Sequence, residues 1–207
     1  MIALAIRPAL PEDALAAARL IALSMGPLAD FFFASGMRKG TEQVLADLFR
    51  RSGNRFSHQF AEVAELGGRA AGLLIAYSSR LMGRLALAMG RQLVEIGGLR
   101  SVLRLVPKTL PLALFREAEP GEYFINTLAV FPEFQGQGIG TRLLRRAEEK
   151  AAQEGLVRCA LSVEVENLRA KRLYERTGFC IVRTFEHPWL EHFCGCRGFH
   201  RMVKMVI

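Results

Sequence analysis

Three glycines at alternate positions, Gly136, Gly138 and Gly140, stand directly before a charged amphipathic segment in FQGQGIGTRLLRRAEEK, residues 134–150. The spacing of apolar residues that follows predicts a helix, so the glycines lie at its amino terminus. The first N–H groups of a helix lack partners within the helix, carry the positive end of its dipole and, beside glycine, are not covered by Cβ atoms. This stretch therefore predicts an anion site, and phosphate is its natural ligand.

Two common phosphate-binding patterns do not fit these glycines. The P-loop requires glycines five positions apart followed by Lys and then Ser or Thr, whereas Thr141 stands five positions after Gly136 and Arg142 follows it. The dinucleotide fingerprint requires glycines at offsets zero, two and five, whereas the offsets here are zero, two and four. On this segment alone, a tight turn that joins a strand to a helix without a ligand stays the alternative.

A second segment, ENLRAKRLYERTGF at 166–179, supplies side chains suited to chemistry near such a site. Asn167 is a suitable helix cap, and Ala170, Leu173 and Tyr174 recur at helical spacing. The Tyr174 side chain is therefore expected to face the sheet. A phenol, whose pKa is ordinarily about 10, is a possible proton donor. A core aromatic residue that packs the helix on the sheet is the alternative.

Together, LAVFPEFQGQGIGTRLL and NLRAKRLYERTGF resemble the GNAT superfamily of N-acetyltransferases, closely from Glu122 to Phe185 and more weakly in the amino-terminal half. The family signature, Gln or Arg, two residues, Gly, one residue, and Gly or Ala, is matched by Gln135, Gly138 and Gly140. The resemblance implies that the helix amino terminus holds the pyrophosphate of acetyl-coenzyme A (acetyl-CoA) and that the preceding strand contacts the pantetheine arm. The residues implied in binding this co-substrate are Leu128, Ala129, Val130, Gln135, Gly136, Gln137, Gly138, Ile139, Gly140, Thr141, Asn167, Lys171 and Tyr174.

Acetyl transfer from a thioester to an amine needs a neutral amine, stabilisation of an oxyanion and a proton for the departing thiolate. Glu122 is the first candidate base because it opens the strand implied in pantetheine binding. Alternate strand residues would put its side chain on the face of Phe124, Asn126 and Leu128. A solvated carboxylate at the strand end is the alternative, and family members with a glutamate base on this strand place it where Phe124 stands. Tyr174 is the candidate acid.

Other reactive side chains are assigned structural roles. His58, expected on a hairpin strand, is a weaker candidate base. Cys159 is expected to be a buried, unreactive thiol, so transfer is direct within a ternary complex. HFCGCRGFH, 192–200, contains four potential zinc ligands, but their spacing does not suit a zinc finger, and a glycine-rich loop between the last strands is favoured. No metal is expected. The four potential ligands are His192, Cys194, Cys196 and His200.

The resemblance implies that this last loop borders the acceptor site. The expected lining residues are Trp189, His192 and Phe193, with Phe31, Phe32 and Phe33 on the opposite wall. The acceptor is expected to be a small-molecule or peptide amine. Because the chain carries a net charge of +8, a neutral or carboxylate-bearing amine is mildly favoured. A non-catalytic acyl-CoA sensor or scaffold is the alternative to an enzyme.

The rest of the pattern predicts the elements that must position these groups. A strand is followed by a helix that ends at Gly26, and a second helix is capped by Thr41. Gly67 and Gly68 predict the turn of a β-hairpin. A strand precedes the glycine turn and others follow the phosphate helix. The fold class is α/β or α+β, with a GNAT-like mixed, mostly antiparallel sheet of six to seven strands flanked by helices.

Residues 80–119 lose the strand pattern and predict a helical insertion within a single acetyltransferase domain that spans 1–207. The insertion holds seven Lys or Arg and three Glu. It is expected to pack on the domain or to form a homodimer interface, and attachment to an anionic membrane surface is less favoured. Nucleic acid is not an expected partner, because the basic positions lack interleaved aromatic residues.

Length and composition are consistent with this assignment. The chain has 207 residues and 51% hydrophobic content, enough to bury a core. No apolar run of about 18 residues is free of charge, so integral membrane association is not expected. The start lacks a basic leader with a cleavage site, and four cysteines are too few for a disulfide scaffold. A cytoplasmic location is expected.

Overall fold

The computed structural model describes residues 4–34, 39–109 and 115–206, and within them seven strands form one sheet. The strands are Leu4–Pro8 (β1), Ala61–Leu66 (β2), Arg69–Ser78 (β3), Tyr123–Val130 (β4), Arg158–Glu164 (β5), Cys180–Glu186 (β6) and Gly198–Met205 (β7). The α-helices are Ala14–Met25 (α1), Pro27–Phe33 (α2), Thr41–Arg50 (α3), Met82–Gly97 (α4), Leu99–Thr109 (α5), Ile139–Gln153 (α6), Leu168–Arg176 (α7) and Pro188–Cys194 (α8).

The sheet order is β1-β2-β3-β4-β5-β7-β6. Every neighbouring pair is antiparallel except β4 and β5, which run parallel. This confirms the predicted mixed, mostly antiparallel sheet flanked by helices. The one parallel pair lies at the centre of the sheet, and α6 connects its two strands.

Two core clusters lie on opposite faces of the sheet. On the face that we call the α1 face, α1 and α3 bury residues such as Leu20, Leu45 and Phe49. On the other, which we call the α6 face, α6 buries Leu143 and Leu144 beside the side chains of α7. The sheet therefore separates α1 and α3 from α6 and α7, whereas α8 contacts α2.

Local turn chemistry explains several element boundaries. Gly67 and Gly68 have φ angles of 60° and 73°, which confirms the hairpin turn between β2 and β3. Helix α1 ends at Gly26, as predicted, where φ is 53°. The predicted cap at Thr41 is wrong: Gly40 occupies the cap position, and Thr41 Oγ1 instead donates to Asp30 Oδ1 at 2.6 Å. This bond ties α3 to α2.

The predicted insertion is helical over α4 and α5, but its described residues 115–119 form no helix, which corrects the predicted extent. Leu85, Leu93 and Leu105 are buried against the core of the α1 face, so the insertion packs on the sheet domain. Its outer side exposes Leu87, Leu99 and Leu103 together with several arginines. Residues 110–114 of the predicted insertion lie outside the described residues.

No single helix in the described part of the chain is long and apolar enough to cross a membrane. The segments Pro11–Met25 and Pro27–Phe33 reach the required length and composition only as a pair, and they are bent by 111° relative to each other.

An ion pair near the amino terminus supports a pH-dependence prediction. Arg7 donates to both carboxylate oxygens of Asp13, at 2.8 and 2.9 Å, and lowers the pKa of Asp13. Asp13 also accepts from the Leu10 N–H at 2.8 Å. A lowered folded-state pKa gives stability that is present above the unfolded pKa, about 3.9, and lost as the pH falls through the folded pKa. Asp13→Asn should therefore lower the free energy of unfolding by about 1 kcal/mol at pH 7. Urea denaturation at pH 7 and in strong acid tests this, and an equal deficit at both would contradict it.

Candidate active site

The parallel strands β4 and β5 pair over only three positions, Tyr123 to Ile125 against Cys159 to Leu161. Strand β4 continues to Val130 and β5 to Glu164 without further pairing between them. We call the gap between residues 126–130 of β4 and residues 162–164 of β5 the slot. A slot between parallel strands leaves backbone donors and acceptors without a ladder partner, which is a suitable surface for an amide-bearing ligand.

Backbone direction identifies which β4 residues face the slot. The Phe131 N–H donates to Ala71 of β3, so the alternation of strand residues turns Ala129 toward β3 and turns Leu128 and Val130 toward the slot. The prediction that the Ala129 backbone contacts the co-substrate is therefore corrected. The Val130 carbonyl is also occupied, because it accepts from Gln135 Nε2 at 2.8 Å. The Leu128 N–H and carbonyl and the Val130 N–H remain available.

A β-bulge in β4 changes which side chains share a face. The register with β3 shifts between Ile75 and Ala76, which leaves Asn126 as the extra residue. Phe124 consequently packs in the core of the α1 face, whereas Leu128 packs on the α6 face. The predicted shared face of Glu122, Phe124, Asn126 and Leu128 is therefore wrong, because the bulge inverts the alternation.

Hydrogen bonds hold the bulge in place. Arg55 donates to both carboxylate oxygens of Glu117, at 2.7 and 2.9 Å, and to Asn126 Oδ1 at 3.0 Å. The Tyr77 hydroxyl also donates to Asn126 Oδ1, at 3.0 Å. These bonds fix the start of the slot from the α1 face.

The glycine turn confirms the geometry expected of an anion site. Gly136 and Gly138 have φ angles of 79° and 76°, and α6 begins at Ile139. The first bond of the helix runs from the Arg142 N–H to the Gly138 carbonyl at 3.1 Å. Among the described residues, none of the amides from Gly136 to Thr141 donates to another protein group. Six successive N–H groups at a helix amino terminus therefore remain available to an anion.

The glycines of this turn serve two different purposes. A Cβ atom at Gly136 or Gly138 would point into open space, so a side chain there would stand where an anion must approach. A Cβ atom at Gly140 would lie 3.1 Å from Leu173 Cδ2, so Gly140 permits close packing of α6 on α7. The Ile139 side chain is buried, and this residue offers only its amide.

Helix α7 places Tyr174 and two other predicted residues beside the α6 face. Asn167 caps the helix, as expected, by accepting from the Ala170 N–H at 3.0 Å. The Tyr174 ring packs edge-on to Phe179, and burial raises the pKa of its phenol to about 12. Its hydroxyl makes no hydrogen bond to any described residue. Lys171 Nζ lies 3.9 Å from Glu175, on the outer side of the helix.

Glu122 does not occupy the predicted position. It precedes β4, is only 1% exposed and binds Arg201 through a buried ion pair, so the solvated strand-end alternative is also wrong. Its carboxylate accepts as well from the Glu119 N–H, at 2.7 Å. A proton on Glu122 would disrupt this buried pair, which is unfavourable in a low-dielectric site. We therefore do not retain Glu122 as the base.

The remaining reactive side chains have structural positions. His58 lies in a 3-10 turn rather than on a strand, with Nδ1 3.0 Å from the Phe49 carbonyl, which corrects the prediction. Cys159 is buried, as expected, and burial raises its thiol pKa to about 12. The predicted final loop contains α8, which carries His192 and Cys194. No group of three or more potential metal ligands occurs in the described ranges, in which the Cys194 side chain is not included.

The predicted aromatic walls are in contact with each other. Phe31 of α2 lies 5.5 Å from Trp189 of α8, ring centroid to centroid, which joins two segments far apart in sequence. Phe193 is 55% exposed on the same helix as Trp189. Phe33 is only 4% exposed and belongs to the core, so its predicted lining role is wrong.

Two further cavities lie away from the slot. One, of about 260 Å³, adjoins Tyr123, Lys150 and Glu154, at the carboxyl end of α6. The other, of about 270 Å³, adjoins Arg80 and Arg116. The first cavity is not the anion site, because the glycine turn stands at the opposite end of the 15-residue helix α6. The second is not lined by any residue of the glycine turn.

Sequence reasoning missed one carboxylate at the slot. Glu164, the last residue of β5, is followed closely by the α7 cap and faces the α1 side of the sheet. Glu164 is far from the glycine turn in sequence, so no repeated spacing linked it to the site. The one indication was that Ser162 and Glu164 alternate along the strand and therefore share a face.

A sheet that opens between its two parallel strands, with free amides at the mouth of the gap, is an arrangement suited to a phosphorylated, amide-bearing ligand. The chain belongs to the acetyltransferase (GNAT) family, whose model matches residues 30–179. A solved structure described as an acetyltransferase is 27% identical, with a TM-score of 0.64, and the match covers 98% of this chain and 100% of that one.

Named relatives match over shorter stretches. N-alpha-acetyltransferase 30 of Schizosaccharomyces pombe is 39% identical over 57 residues, 28% of this chain and 38% of that protein. Mycothiol acetyltransferase of Beutenbergia cavernae is 43% identical over 66 residues, 32% of this chain and 22% of that protein. The matched stretch thus spans less than half the length of each relative. The two names refer to different acceptors, so they leave the acceptor of this protein open.

Proposed function

We propose that this protein is an N-acetyltransferase that moves an acetyl group from acetyl-CoA to a primary amine by direct transfer in a ternary complex. The observation that carries the proposal is the run of six unpaired amides from Gly136 to Thr141 at the edge of the slot. Hydrogen bonds from such amides to phosphate are charge-assisted and stronger than neutral ones. The family membership and the slot support the same assignment.

The residues present fit acetyl-CoA, which supplies an acetyl group activated as a thioester. The amides of the glycine turn hold its diphosphate, and the exposed side of α7, including Lys171, offers positive charge nearby. The free backbone groups of Leu128 and Val130 pair with the amides of the pantetheine arm. Asn167 acts by capping α7 and so fixes the position of Tyr174.

Tyr174 donates a proton to the departing thiolate. Its raised pKa, about 12, keeps the phenol protonated across the working pH range. Its hydroxyl is not engaged by the protein, so the proton is free to move to a ligand. Cys159 forms no acetyl intermediate, because its raised thiol pKa leaves almost no thiolate.

A non-catalytic acyl-CoA sensor is the second candidate, and the engagement of Glu122 by Arg201 favours it because the predicted base is unavailable. Retention on immobilised coenzyme A, followed by thiol release across a panel of primary amines, separates the two. The enzyme binds coenzyme A and releases thiol only when an amine is present. Binding without thiol release for any amine would favour the sensor, and absence of binding would exclude both.

A further inference from the structure

Three buried side-chain atoms lack a hydrogen-bond partner among the residues that the structure describes. They are Ser162 Oγ, Glu164 Oε1 and Arg201 Nε. Buried polar atoms are nearly always paired, since an unpaired one costs the free energy of its lost hydration. Three such atoms in one region indicate a place for polar ligand atoms or water.

All three atoms lie on the same face of two neighbouring strands. Ser162 of β5 stands directly opposite Arg201 of β7, and Glu164 follows Ser162 by two residues. Alternate strand residues share a face, and the adjacent pair of Ala160 and Val203 packs in the core of the α1 face. Ser162 and Glu164 also follow the last pair between β4 and β5, so they line the slot from its α1 face.

The junction of α1 and α2 closes this place from the outside. Gly26 stands at the junction with φ 53°, and a Cβ atom on it would lie 3.6 and 3.7 Å from the two carboxylate oxygens of Glu164. The absence of a side chain at Gly26 therefore leaves room beside the carboxylate. The space beside the Glu164 carboxylate is suited to a small group rather than to a bulky one.

No described cation balances the charge of Glu164. Arg201, on the neighbouring strand, is committed to Glu122, and Arg197 lies near Glu166 and Glu186. His200 faces the opposite side of the sheet, because it pairs with Val163 of the α6-face core. Burial and then the charge of Glu166 raise the pKa of Glu164. The Glu164 side chain is half-buried, but its buried Oε1 has no partner, and an unpaired buried oxygen is unfavourable, so a cationic ligand that pairs with Oε1 would be stabilised there.

We propose that Glu164 binds the acceptor amine as its ammonium ion and then accepts its proton, while Ser162 Oγ accepts a second N–H. The proposal rests on the function proposed above. Tyr174 lies on the α6 face and Glu164 on the α1 face, so the thioester and the amine reach the slot from opposite sides of the sheet. The acceptor class is a primary alkyl amine that is protonated in solution, despite the basic net charge of the chain.

The groups named account for every proton and every bond in the transfer. Glu164 Oε1 takes one proton from the ammonium group, which leaves a nitrogen lone pair. That nitrogen forms the C–N bond to the acetyl carbon as the C–S bond breaks, and the thiolate takes a proton from Tyr174. The nitrogen loses its second proton to water, Tyr174 regains a proton from water, and Glu164 releases its proton to water. The sum is one amide, one thiol and one proton.

The decisive variant is Glu164→Gln, which keeps the shape of the side chain and removes its charge and basicity. Glu166→Gln is the matched control, because Glu166 is an exposed carboxylate two residues away that acts on Glu164 only through its charge. With ethylamine and acetyl-CoA at pH 7, Glu164→Gln should lower kcat/KM by about 100-fold, a size typical of a lost general base. Glu166→Gln should stay within about threefold of wild type.

Two further readouts separate proton transfer from structural damage. The deficit of Glu164→Gln should shrink as the pH rises, because neutral ethylamine then becomes available without a base. The deficit should also be much smaller for 2,2,2-trifluoroethylamine, which has nearly the same shape but is neutral near pH 7. A deficit that is equal for both amines, or wild-type kcat/KM in Glu164→Gln with ethylamine, would overturn the assignment.

Binding tests the site independently of turnover. In the complex with coenzyme A, saturation-transfer NMR should detect ethylammonium on the wild type and on Glu166→Gln, with affinity at least about tenfold weaker on Glu164→Gln. Thermal unfolding should show Glu164→Gln at least as stable as wild type at pH 7, since it removes a half-buried charge that has no ion-pair partner among the described residues. Equal ethylammonium binding by all three proteins would refute the Glu164 site while leaving the transferase function intact. Ethylammonium binding without thiol release would refute the transferase function while retaining the site.

Discussion

Replacing Gly138 with alanine is expected to weaken coenzyme A binding by about 100-fold. The Cβ atom would project into the open space in front of the free amides, where the diphosphate must approach. Displacing the phosphate from two of these amides costs about 3 kcal/mol, at about 1.5 kcal/mol for each charge-assisted bond, and this equals a factor of about 100 in the dissociation constant. Calorimetric titration with coenzyme A measures the change.

Gly155→Ala is the matched control for this substitution. Gly155 follows the other end of α6, with a φ angle of 68° against 76° at Gly138, and a Cβ atom there also meets nothing within 4 Å. Both variants should lose about 1–2 kcal/mol of stability, because a side chain is strained at positive φ. Only Gly138→Ala should lose affinity. Equal affinity losses in the two variants would show that the glycine turn does not hold the ligand.

Tyr174→Phe is expected to lower kcat by about 100-fold or more while the affinity for coenzyme A stays unchanged. The substitution removes the proton donor for the thiolate and preserves the ring that packs on Phe179. Because its pKa is raised to about 12, the wild-type phenol remains a donor at alkaline pH, and its ionisation should not lower the rate below about pH 11. Steady-state rates of thiol release over a pH series measure both effects.

Tyr123→Phe is the control for Tyr174→Phe. Tyr123 is also buried, but it stands in the paired part of β4, and its hydroxyl donates to the Ala76 carbonyl at 3.3 Å. Its loss should reduce stability by about 1 kcal/mol and leave kcat unchanged. Tyr174→Phe should instead lower kcat and leave stability unchanged, because its hydroxyl has no hydrogen-bond partner to lose among the described residues. An unchanged kcat in Tyr174→Phe would remove Tyr174 as the acid.

The arrangement of the two candidate proton-transfer groups has a consequence for the order of binding. Tyr174 is reached from the α6 face and Glu164 from the α1 face, and the slot is the place where the two faces communicate. A ligand in the slot would occupy the gap beside Ser162 and separate Glu164 further from water. Bound coenzyme A should therefore strengthen ammonium binding, which the NMR experiment measures when it is repeated without coenzyme A.

Several features were predictable because their causes lie within a few residues of sequence. The hairpin at Gly67 and Gly68, the end of α1 at Gly26 and the cap at Asn167 follow from backbone preferences and side-chain capping. The amides of Ile139, Gly140 and Thr141 are free because they belong to the first turn of a helix, where N–H groups have no partner within the helix. Thr41 was the local failure, since its hydroxyl binds Asp30 of a neighbouring helix.

The errors arose where distant segments meet. Glu122 was expected to be the base or, as the alternative, a solvated carboxylate, but it is buried and paired with Arg201, 79 residues away. Phe124 and Leu128 were expected on one face of the sheet but lie on opposite faces, because of a bulge that depends on the register with β3. The local alternation of Ser162 and Glu164 could not identify Glu164, because the α1–α2 junction at Gly26 lies against its carboxylate and its lack of an ion-pair partner depends on where Arg201 is bound.

The amino-acid sequence by itself determined the family, the mixed sheet, and the turn and helices that present Gly138 and Tyr174. Backbone conformation and helix termini are set by near neighbours, so these features can be recognised from short patterns. Only the tertiary structure decided which carboxylate is free to take a proton. The state of a buried charge depends on every group around it, and at Glu122 and Glu164 those groups come from parts of the chain far apart in sequence.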